Sequence, residues 1–373
     1  MRRNIYTFIY YFIPVSIFGT LMFCTWDYSS WYAWLQRFVC PFQIFFEIFT
    51  VKYLIRFFKC CIAIRSASRR QDAYSSNFTV IKCGENGTGK TLTGIDYAIS
   101  LAEEQDDVIR KTYKLYKANR KAVEKDEILS KDFKELEEYI EFWDAHEDCF
   151  PGLFSTVPIF VDGLKVMELK RDHVLQYIRL PYGSVCLYDE AKLDFPAVGT
   201  PTAEERAEES PGADFISKVR HYGNFHFIFV SQKSSELRKF IRNNVAMNEY
   251  IIKNEKILRP NWMLDFINWL EDYIYDFPIN VNFLYKPIFY IKKFLNKIGF
   301  FKFQSVTYSN TETETGKTEL EKKVYYMPLN KDFIYDSRCY RTNYKAKKET
   351  LSYNKAFSGL QRRDLYPLVN PEK

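Results

Sequence analysis

The sequence predicts an α/β protein with a mostly parallel β-sheet, preceded by an N-terminal helical hairpin that spans a membrane. Three observations support this prediction: a long uncharged N-terminal segment, short apolar runs that alternate with helical patterns after residue 76, and a glycine-rich loop between the first such run and the first helical pattern. Of the 373 residues, 47% are hydrophobic and 27% are charged. This composition excludes a disordered chain.

The first 70 residues are predicted to form membrane-anchoring segments. Residues 4–26 carry no formal charge, and a helix of this length would reach about 34 Å, enough to cross a bilayer. A secretory signal peptide and a buried helix of a soluble protein are the alternatives, but the apolar core of a signal peptide is shorter and ends at a small-residue cleavage site. The next apolar segment, residues 31–64, carries a stripe of basic side chains and is either a second span or a helix in the membrane interface.

The charge distribution gives the expected orientation of these segments. Residues 1–70 contain nine Lys or Arg and two acidic residues, whereas the rest of the chain holds 44 basic and 45 acidic residues. Arginines flank both ends of the apolar region, at Arg2, Arg3, Arg65, Arg69 and Arg70. Because positive charge is retained inside, we expect both ends inside the cell, a lipid bilayer as partner, and the following domain in the cytoplasm.

A phosphate-binding loop is predicted where an apolar run at 78–83 meets a helical pattern beginning at Lys90. Glycines let backbone N–H groups surround a phosphate, Lys90 neutralises the outer phosphates, and Thr91 binds Mg²⁺. The predicted nucleotide-binding residues, which match G-x-x-x-x-G-K-[ST], are Gly84, Glu85, Asn86, Gly87, Thr88, Gly89, Lys90 and Thr91. The sequence therefore predicts a P-loop NTPase that uses ATP and Mg²⁺. Residues 316–318 also read Gly-Lys-Thr, but position 311, where the first glycine would stand, is Thr, and no strand is predicted to end there.

Two further apolar runs are predicted strands that end in polar residues of the same site. The run at 184–188 is followed by Asp189, which is predicted to hold Mg²⁺, and by Glu190, which is predicted to polarise the attacking water. The run at 225–231 is followed by Gln232, which is predicted to contact the γ-phosphate or the water. The alternative is that Gln232 is a solvent-exposed residue at the end of a strand. Arg220, Arg238 and Arg242 are candidates for the arginine that neutralises the transferring phosphoryl group of a neighbouring subunit, and a structural salt bridge is the alternative role of each.

Four segments together resemble the zonular occludens toxin-like family, which includes the filamentous-phage gene I assembly ATPases and is similar to the FtsK/HerA branch of DNA-pumping ATPases. The segments are GENGTGKT, FSTVPIF, SVCLYDEAKLDFPA and ISKVRHYGNFHFIFVSQ. The resemblance implies a homo-oligomeric ring in the inner or cytoplasmic membrane of a bacterial host. It also implies that phage coat proteins and single-stranded DNA are partners. Unlike well-known relatives, this chain has its apolar segments before the ATPase domain.

The expected organisation has three parts: membrane-anchoring segments at 1–70, a P-loop ATPase domain at 71–260 with a helical insertion at 105–150, and an aromatic and charged extension with a β-hairpin at 261–373. The predicted function is ATP hydrolysis coupled to phage morphogenesis and to extrusion of single-stranded DNA virions. A cellular or conjugative DNA translocase would use the same site. A non-hydrolysing scaffold switched by nucleotide is the alternative outside the enzymes.

Overall fold

The structure is a computed structural model, and the chain divides into two compact units. The residues that it describes are 5–24, 48–64, 79–169, 180–197, 216, 224–245, 247–275, 282–313, 316–331 and 333–335. The first unit, called the helical unit, comprises Met1–Ala73, Asn254–Phe303 and Val324–Lys331. The second unit, called the sheet unit, comprises Tyr74–Lys253, Gln304–Lys323 and Asp332–Lys373.

The described strands form one mixed sheet of ten strands in the order β10-β3-β4-β2-β5-β6-β1-β7-β8-β9. Their bounds are β1 Thr79–Gly84, β2 Cys149–Ser155, β3 Ile159–Val161, β4 Leu164–Glu168, β5 Val185–Tyr188, β6 His226–Ser231, β7 Met247–Ile257, β8 Phe300–Thr313, β9 Gly316–Pro328 and β10 Phe333–Tyr335. Strands β4, β2, β5, β6, β1 and β7 pair in parallel, whereas β3 pairs antiparallel with β4 and β10. The predicted mostly parallel α/β sheet is confirmed.

The central strands β1, β5 and β6 are buried along their whole length. Their sequences, TVIKCG, VCLY and HFIFVS, are nearly continuous apolar runs, as expected for strands covered on both faces. Strand β6 lies between β1 and β5. Because all three run in parallel, their carboxyl ends meet at one edge, so the residues after Gly84, Tyr188 and Ser231 come close together.

Among the described helices of the sheet unit are α3 Lys90–Ala118, α4 Arg120–Val123, α5 Glu127–Asp144 and α6 Lys239–Asn243. The helix after the phosphate-binding loop begins at Lys90, as the sequence predicts. It continues without a break for 29 residues, so the charged segment after residue 105 begins as part of this helix. No proline and only one glycine, Gly94, interrupts it, and its second half packs against α5.

The described helices of the helical unit are α1 Ile5–Cys24, α2 at 48–64, α7 Asn261–Tyr275 and α8 Asn282–Leu295. They share a core in which Tyr11, Phe57, Leu264 and Phe300 are buried. The Tyr11 hydroxyl donates to the carbonyl of Leu258 at 2.9 Å. This unit therefore holds itself together through aromatic packing and hydrogen bonds from its first helix.

The predicted transmembrane hairpin, and with it the predicted location in a bacterial membrane, is contradicted. Within the described ranges, no helix is long and apolar enough to cross a membrane. Absence of charge is a weaker criterion than apolarity, and α1 contains Pro14 as well as polar side chains. Thr7 is one of these and accepts a hydrogen bond from the amide of Gly299 at 2.9 Å. Residues 25–47 and 65–78, which contain the predicted turn of the hairpin at Trp26 to Ser30 and the arginines after the second segment, lie outside the described ranges.

Candidate functional site

The loop between β1 and α3 has the backbone conformation of a phosphate cradle. Gly87 and Gly89 adopt φ of 84° and 85°, a left-handed conformation that side chains rarely tolerate. At Gly84, an added Cβ would lie 2.6 Å from Thr88 Oγ1 and 2.9 Å from the carbonyl oxygen of Ile251. These glycines are therefore required by the turn itself. The first turn of α3 follows directly, and its N–H groups have no partner within the helix.

Polar contacts within the loop fix its shape and the position of its lysine. The hydroxyl of Thr88 donates to the carbonyl of Glu85 at 2.8 Å and closes the turn. Lys90 is only 6% exposed. Its ammonium group donates to Asn86 Oδ1 at 3.4 Å and lies 3.7 Å from Glu190 Oε1. The lysine charge is thus held at the mouth of the loop, between a loop amide and a carboxylate from the end of β5.

The carboxylate of Asp189 is bonded to the first turn of α3. Thr91 donates its hydroxyl to Asp189 Oδ1 at 2.8 Å, although the two residues are 98 positions apart in the chain. The amide of Asp189 donates to Thr156 Oγ1 at 2.9 Å. Burial raises the pKa of Asp189 to about 6, opposed by the Thr91 hydrogen bond and by Lys90. A divalent cation beside this group would stabilise its ionised form.

Glu190 has a strained backbone and an unsatisfied buried oxygen. Its φ is 47°, which is unusual for a residue with a side chain. Its Oε2 atom is buried and has no hydrogen-bond partner among the residues that the structure describes, whereas Oε1 faces Lys90. Strain and an unpaired buried acceptor both cost folding free energy, and such costs concentrate at functional sites. These two features are more typical of a functional carboxylate than of a surface acid.

Of the other predicted catalytic residues, the structure describes Gln232 and leaves Arg220 outside the described ranges. The amide of Gly84 donates to the carbonyl of Gln232 at 3.2 Å. This bond joins the end of β6 to the start of the phosphate-binding loop, as the strand order requires. Arg238 and Arg242, which are alternative candidates for the arginine role, lie at the start and near the end of α6.

Thr156 is a site residue that was not singled out from the sequence. It follows β2, which is separated from β1 by β5 and β6, and its hydroxyl oxygen accepts the hydrogen bond from the Asp189 amide. The amide of Thr156 also donates to the carbonyl of Leu187 at 3.0 Å. The position of Thr156 at the carboxyl end of a strand was the available signal. Its backbone role differs from that of the carboxylates, so the residue type alone did not point to it.

The residues present fit a nucleotide phosphate and Mg²⁺. Positive φ at two loop glycines, a buried lysine and a free helix N-terminus suit a phosphate group. Thr91 and Asp189 offer the oxygen ligands that Mg²⁺ prefers. Where the structure describes the chain, no cluster of three or more His, Cys, Asp or Glu side chains could hold a metal ion by itself. A cation here would therefore need phosphate and water oxygens to complete its coordination.

No protein-family model matches the chain, and no curated protein sequence matches it. One similar solved structure is the N-terminal domain of zonular occludens toxin from Neisseria meningitidis, with 13% identity and a TM-score of 0.30; the match covers 70% of this chain and 96% of that chain. Another is the genome packaging NTPase B204 from Sulfolobus turreted icosahedral virus 2 in complex with AMPPCP, with 12% identity and a TM-score of 0.26, over 68% and 98% of the two chains. The same NTPase in complex with ATP-γS has 11% identity and a TM-score of 0.27 over the same shares. At TM-scores this low, the functional assignment rests on the residues of this chain.

Proposed function

We propose that this chain is a Mg²⁺-dependent P-loop ATPase. The observation that carries the proposal is the 2.8 Å hydrogen bond from Thr91 to Asp189. It joins the helix after a glycine-rich loop to a buried carboxylate at the end of a second parallel strand. P-loop enzymes use this pairing of a hydroxyl and a carboxylate to hold Mg²⁺.

In this proposal, loop and helix amides bind the phosphates, and Lys90 neutralises the β- and γ-phosphoryl oxygens. Thr91 and Asp189 hold Mg²⁺, which would offset the charge that develops on the phosphates. Phosphate oxygens compete with Glu190 for the ammonium group of Lys90, since the two side chains are 3.7 Å apart. ATP binding would then leave the Glu190 carboxylate available to orient the attacking water and accept its proton.

Substitution of the loop lysine tests the proposal in the purified full chain. Lys90→Ala should weaken ATP binding and lower turnover by about 100-fold, because charge aimed at the phosphates is lost. Lys317→Ala is the matched control, since Lys317 stands in the other Gly-Lys-Thr sequence and should leave both quantities unchanged. Turnover is measured as Mg²⁺-dependent phosphate release. A wild-type protein that neither binds nor hydrolyses ATP would refute the assignment.

The narrower proposal is that ATP hydrolysis drives phage morphogenesis and the extrusion of single-stranded DNA virions. Its support is the resemblance carried by the four segments GENGTGKT, FSTVPIF, SVCLYDEAKLDFPA and ISKVRHYGNFHFIFVSQ. In a host that releases filamentous particles, Glu190→Gln should stop release while viral DNA continues to replicate. Normal particle titres from this variant would favour a cellular or conjugative DNA translocase instead.

We also propose a homo-oligomeric ring, with phage coat proteins and single-stranded DNA as its partners. A ring allows an arginine of one subunit to complete the site of the next, and Arg220, Arg238 and Arg242 are the candidates. Mixing Lys90→Ala with an inactive arginine variant tests this, because each subunit then supplies what the other lacks. Recovery of ATPase activity in the mixture supports a shared site. No recovery, under conditions where wild-type subunits exchange, contradicts it.

A further inference from the structure

The loop after Glu190 and the loop after Gln232 are joined along their backbones. The amide of Ala197 donates to the carbonyl of Glu236 at 2.7 Å, and the amide of Arg238 donates to the carbonyl of Phe195 at 3.1 Å. Pro196 and Leu237 form an antiparallel bridge between these two bonds. The two loops therefore form a short two-stranded element beside the candidate site.

The side chain of Glu236 adds three contacts to this element, all at its Oε2 atom. Ser231, the last residue of β6, donates its hydroxyl to Oε2 at 3.1 Å. The amide of Lys233 donates to the same oxygen at 3.4 Å. The ammonium group of Lys192, from the loop after β5, lies 3.9 Å from it. One carboxylate thus contacts the residues on both sides of Gln232 and the segment that follows Glu190.

These contacts connect Glu236 to the phosphate-binding loop in two ways. Gln232 lies between Ser231 and Lys233, and its carbonyl accepts the hydrogen bond from Gly84. Lys192 is two residues from Glu190, whose strained backbone φ of 47° must be maintained by surrounding contacts. The amide of Leu193 donates to the carbonyl of Glu190 at 2.8 Å and stabilises the same turn. Loss of the carboxylate would release both polar residues at the strand ends together.

We propose that Glu236 is a positioning residue for ATP hydrolysis, which holds Glu190 and Gln232 in place relative to the phosphate-binding loop. The inference rests on the proposed ATPase function. Glu236 acts on the attacking water through Glu190 and Gln232. The phosphates are bound by Lys90 and the loop, so Glu236 does not contact them. Its removal should lower turnover and leave ATP affinity nearly unchanged. Small displacements of catalytic groups are enough to produce such an effect.

The test compares Glu236→Ala and Glu236→Gln in the full chain with a control substitution, Glu124→Gln. Glu124 also forms an ion pair, with Arg120 at 2.6 Å on an exposed helix, and its variant should behave as wild type. Glu236→Ala should lower kcat by about 10-fold to 100-fold, with the dissociation constant of a non-hydrolysable ATP analogue changed by less than about twofold. Glu236→Gln should recover part of kcat, because its amide oxygen still accepts from Ser231.

A double-mutant cycle with Ser231→Ala separates positioning from a general loss of stability. If the two side chains act as one unit, adding Ser231→Ala to Glu236→Ala should lower kcat no further. Equal losses of kcat and analogue affinity, full additivity, or unchanged kcat would each overturn the inference. Thermal unfolding of every variant identifies one that is merely misfolded, and Glu236→Gln then provides the decisive comparison. A wild-type chain without ATPase activity would instead refute the proposed function.

Discussion

The two units of the molecule place their apolar side chains differently. In the sheet unit, large side chains such as Tyr139, Tyr188, Phe227 and Phe229 are fully buried. In the helical unit, all four described helices also expose large apolar side chains, among them Ile55, Phe58 and Trp269 at 50% or more. The sheet unit also exposes some large apolar side chains, such as Leu115 and Ile128, but most of the exposed ones among the described residues lie in the helical unit. Exposed apolar surface on this scale is typical of regions that contact a partner.

The buried polar groups of the two units also differ in what they contact. In the sheet unit, Lys90 and Asp189 are buried at the end of the sheet. Lys90 lies beside Glu190, whose backbone is strained, and Asp189 accepts a hydrogen bond from Thr91. In the helical unit, buried Thr7 accepts one hydrogen bond from a backbone amide and has a packing role. The proposed chemistry therefore lies in the sheet unit, whereas the buried polar group of the helical unit supports its packing.

The largest effect should come from Glu190→Gln in the sheet unit. This change keeps the size of the side chain and removes the group that accepts the proton from water, so kcat should fall by about 100-fold to 10,000-fold. ATP should still bind, because Lys90 and the loop amides are intact. The measurements are steady-state phosphate release and equilibrium binding of ATP. Turnover at the wild-type rate would remove the proposed role of Glu190.

A second large effect concerns a buried ion pair below the phosphate-binding loop. Lys82 of β1 and Glu249 of β7 are 2.5 Å apart, with side chains only 5% and 6% exposed. Glu249→Ala leaves the lysine charge buried without its partner and should lower the free energy of unfolding by about 3 to 5 kcal/mol. Replacing both residues, by Lys82→Met with Glu249→Leu, should cost far less. Urea unfolding measures both, and equal losses would argue against the pair.

The same pair gives a pH dependence of stability with a defined sign. Burial raises the pKa of Glu249, but the charge and hydrogen bond of Lys82 lower it further, so the pKa lies below its ordinary value of 4.5. A lowered folded-state pKa stabilises the protein above the unfolded-state pKa. This contribution should therefore be lost as the pH falls below about 4.5. The double variant should lack this part of the acid sensitivity.

A smaller effect tests the contrast in burial between the two units. Ile95 of α3 is 0% exposed, whereas Ile55 of α2 is 53% exposed. Ile95→Ala should lower the free energy of unfolding by about 2 to 5 kcal/mol, because it creates a cavity in a packed core. Ile55→Ala should change it by less than about 0.5 kcal/mol. A large loss from the second change would mean that the side chain of Ile55 is buried against another part of the protein.

The parts of the fold that the sequence predicts depend on short-range patterns. The strand, loop and helix around Gly84 to Thr91 form a continuous segment, so its residue types specify both structure and site. The apolar runs at 184–188 and 225–231 predict strands, and the observed strands end at the same residues, Tyr188 and Ser231. That these ends lie side by side follows from parallel pairing.

The rest of the site depends on long-range contacts. Nothing in the run TVIKCG predicts that Lys82 meets Glu249, because the two are 167 positions apart and each looks like an exposed strand residue by itself. The contacts of Glu236 with Ser231 and Lys192 depend on how two loops fold together. The predicted membrane hairpin failed for a related reason, since counting charges ignored the hydrogen bonds that Thr7 and Tyr11 form inside their own unit.

The unbroken length of α3 has a mechanical consequence. With 29 residues, it extends about 43 Å from the phosphate-binding loop at the usual rise of a helix. An element of this kind acts as a lever arm whose short end is Lys90. A tilt of about 5° at that end would displace the far end, at Ala118, by about 4 Å along an arc, given the rise per residue. A small change in the phosphate-binding loop would therefore produce a displacement at Ala118 about as large as a side chain.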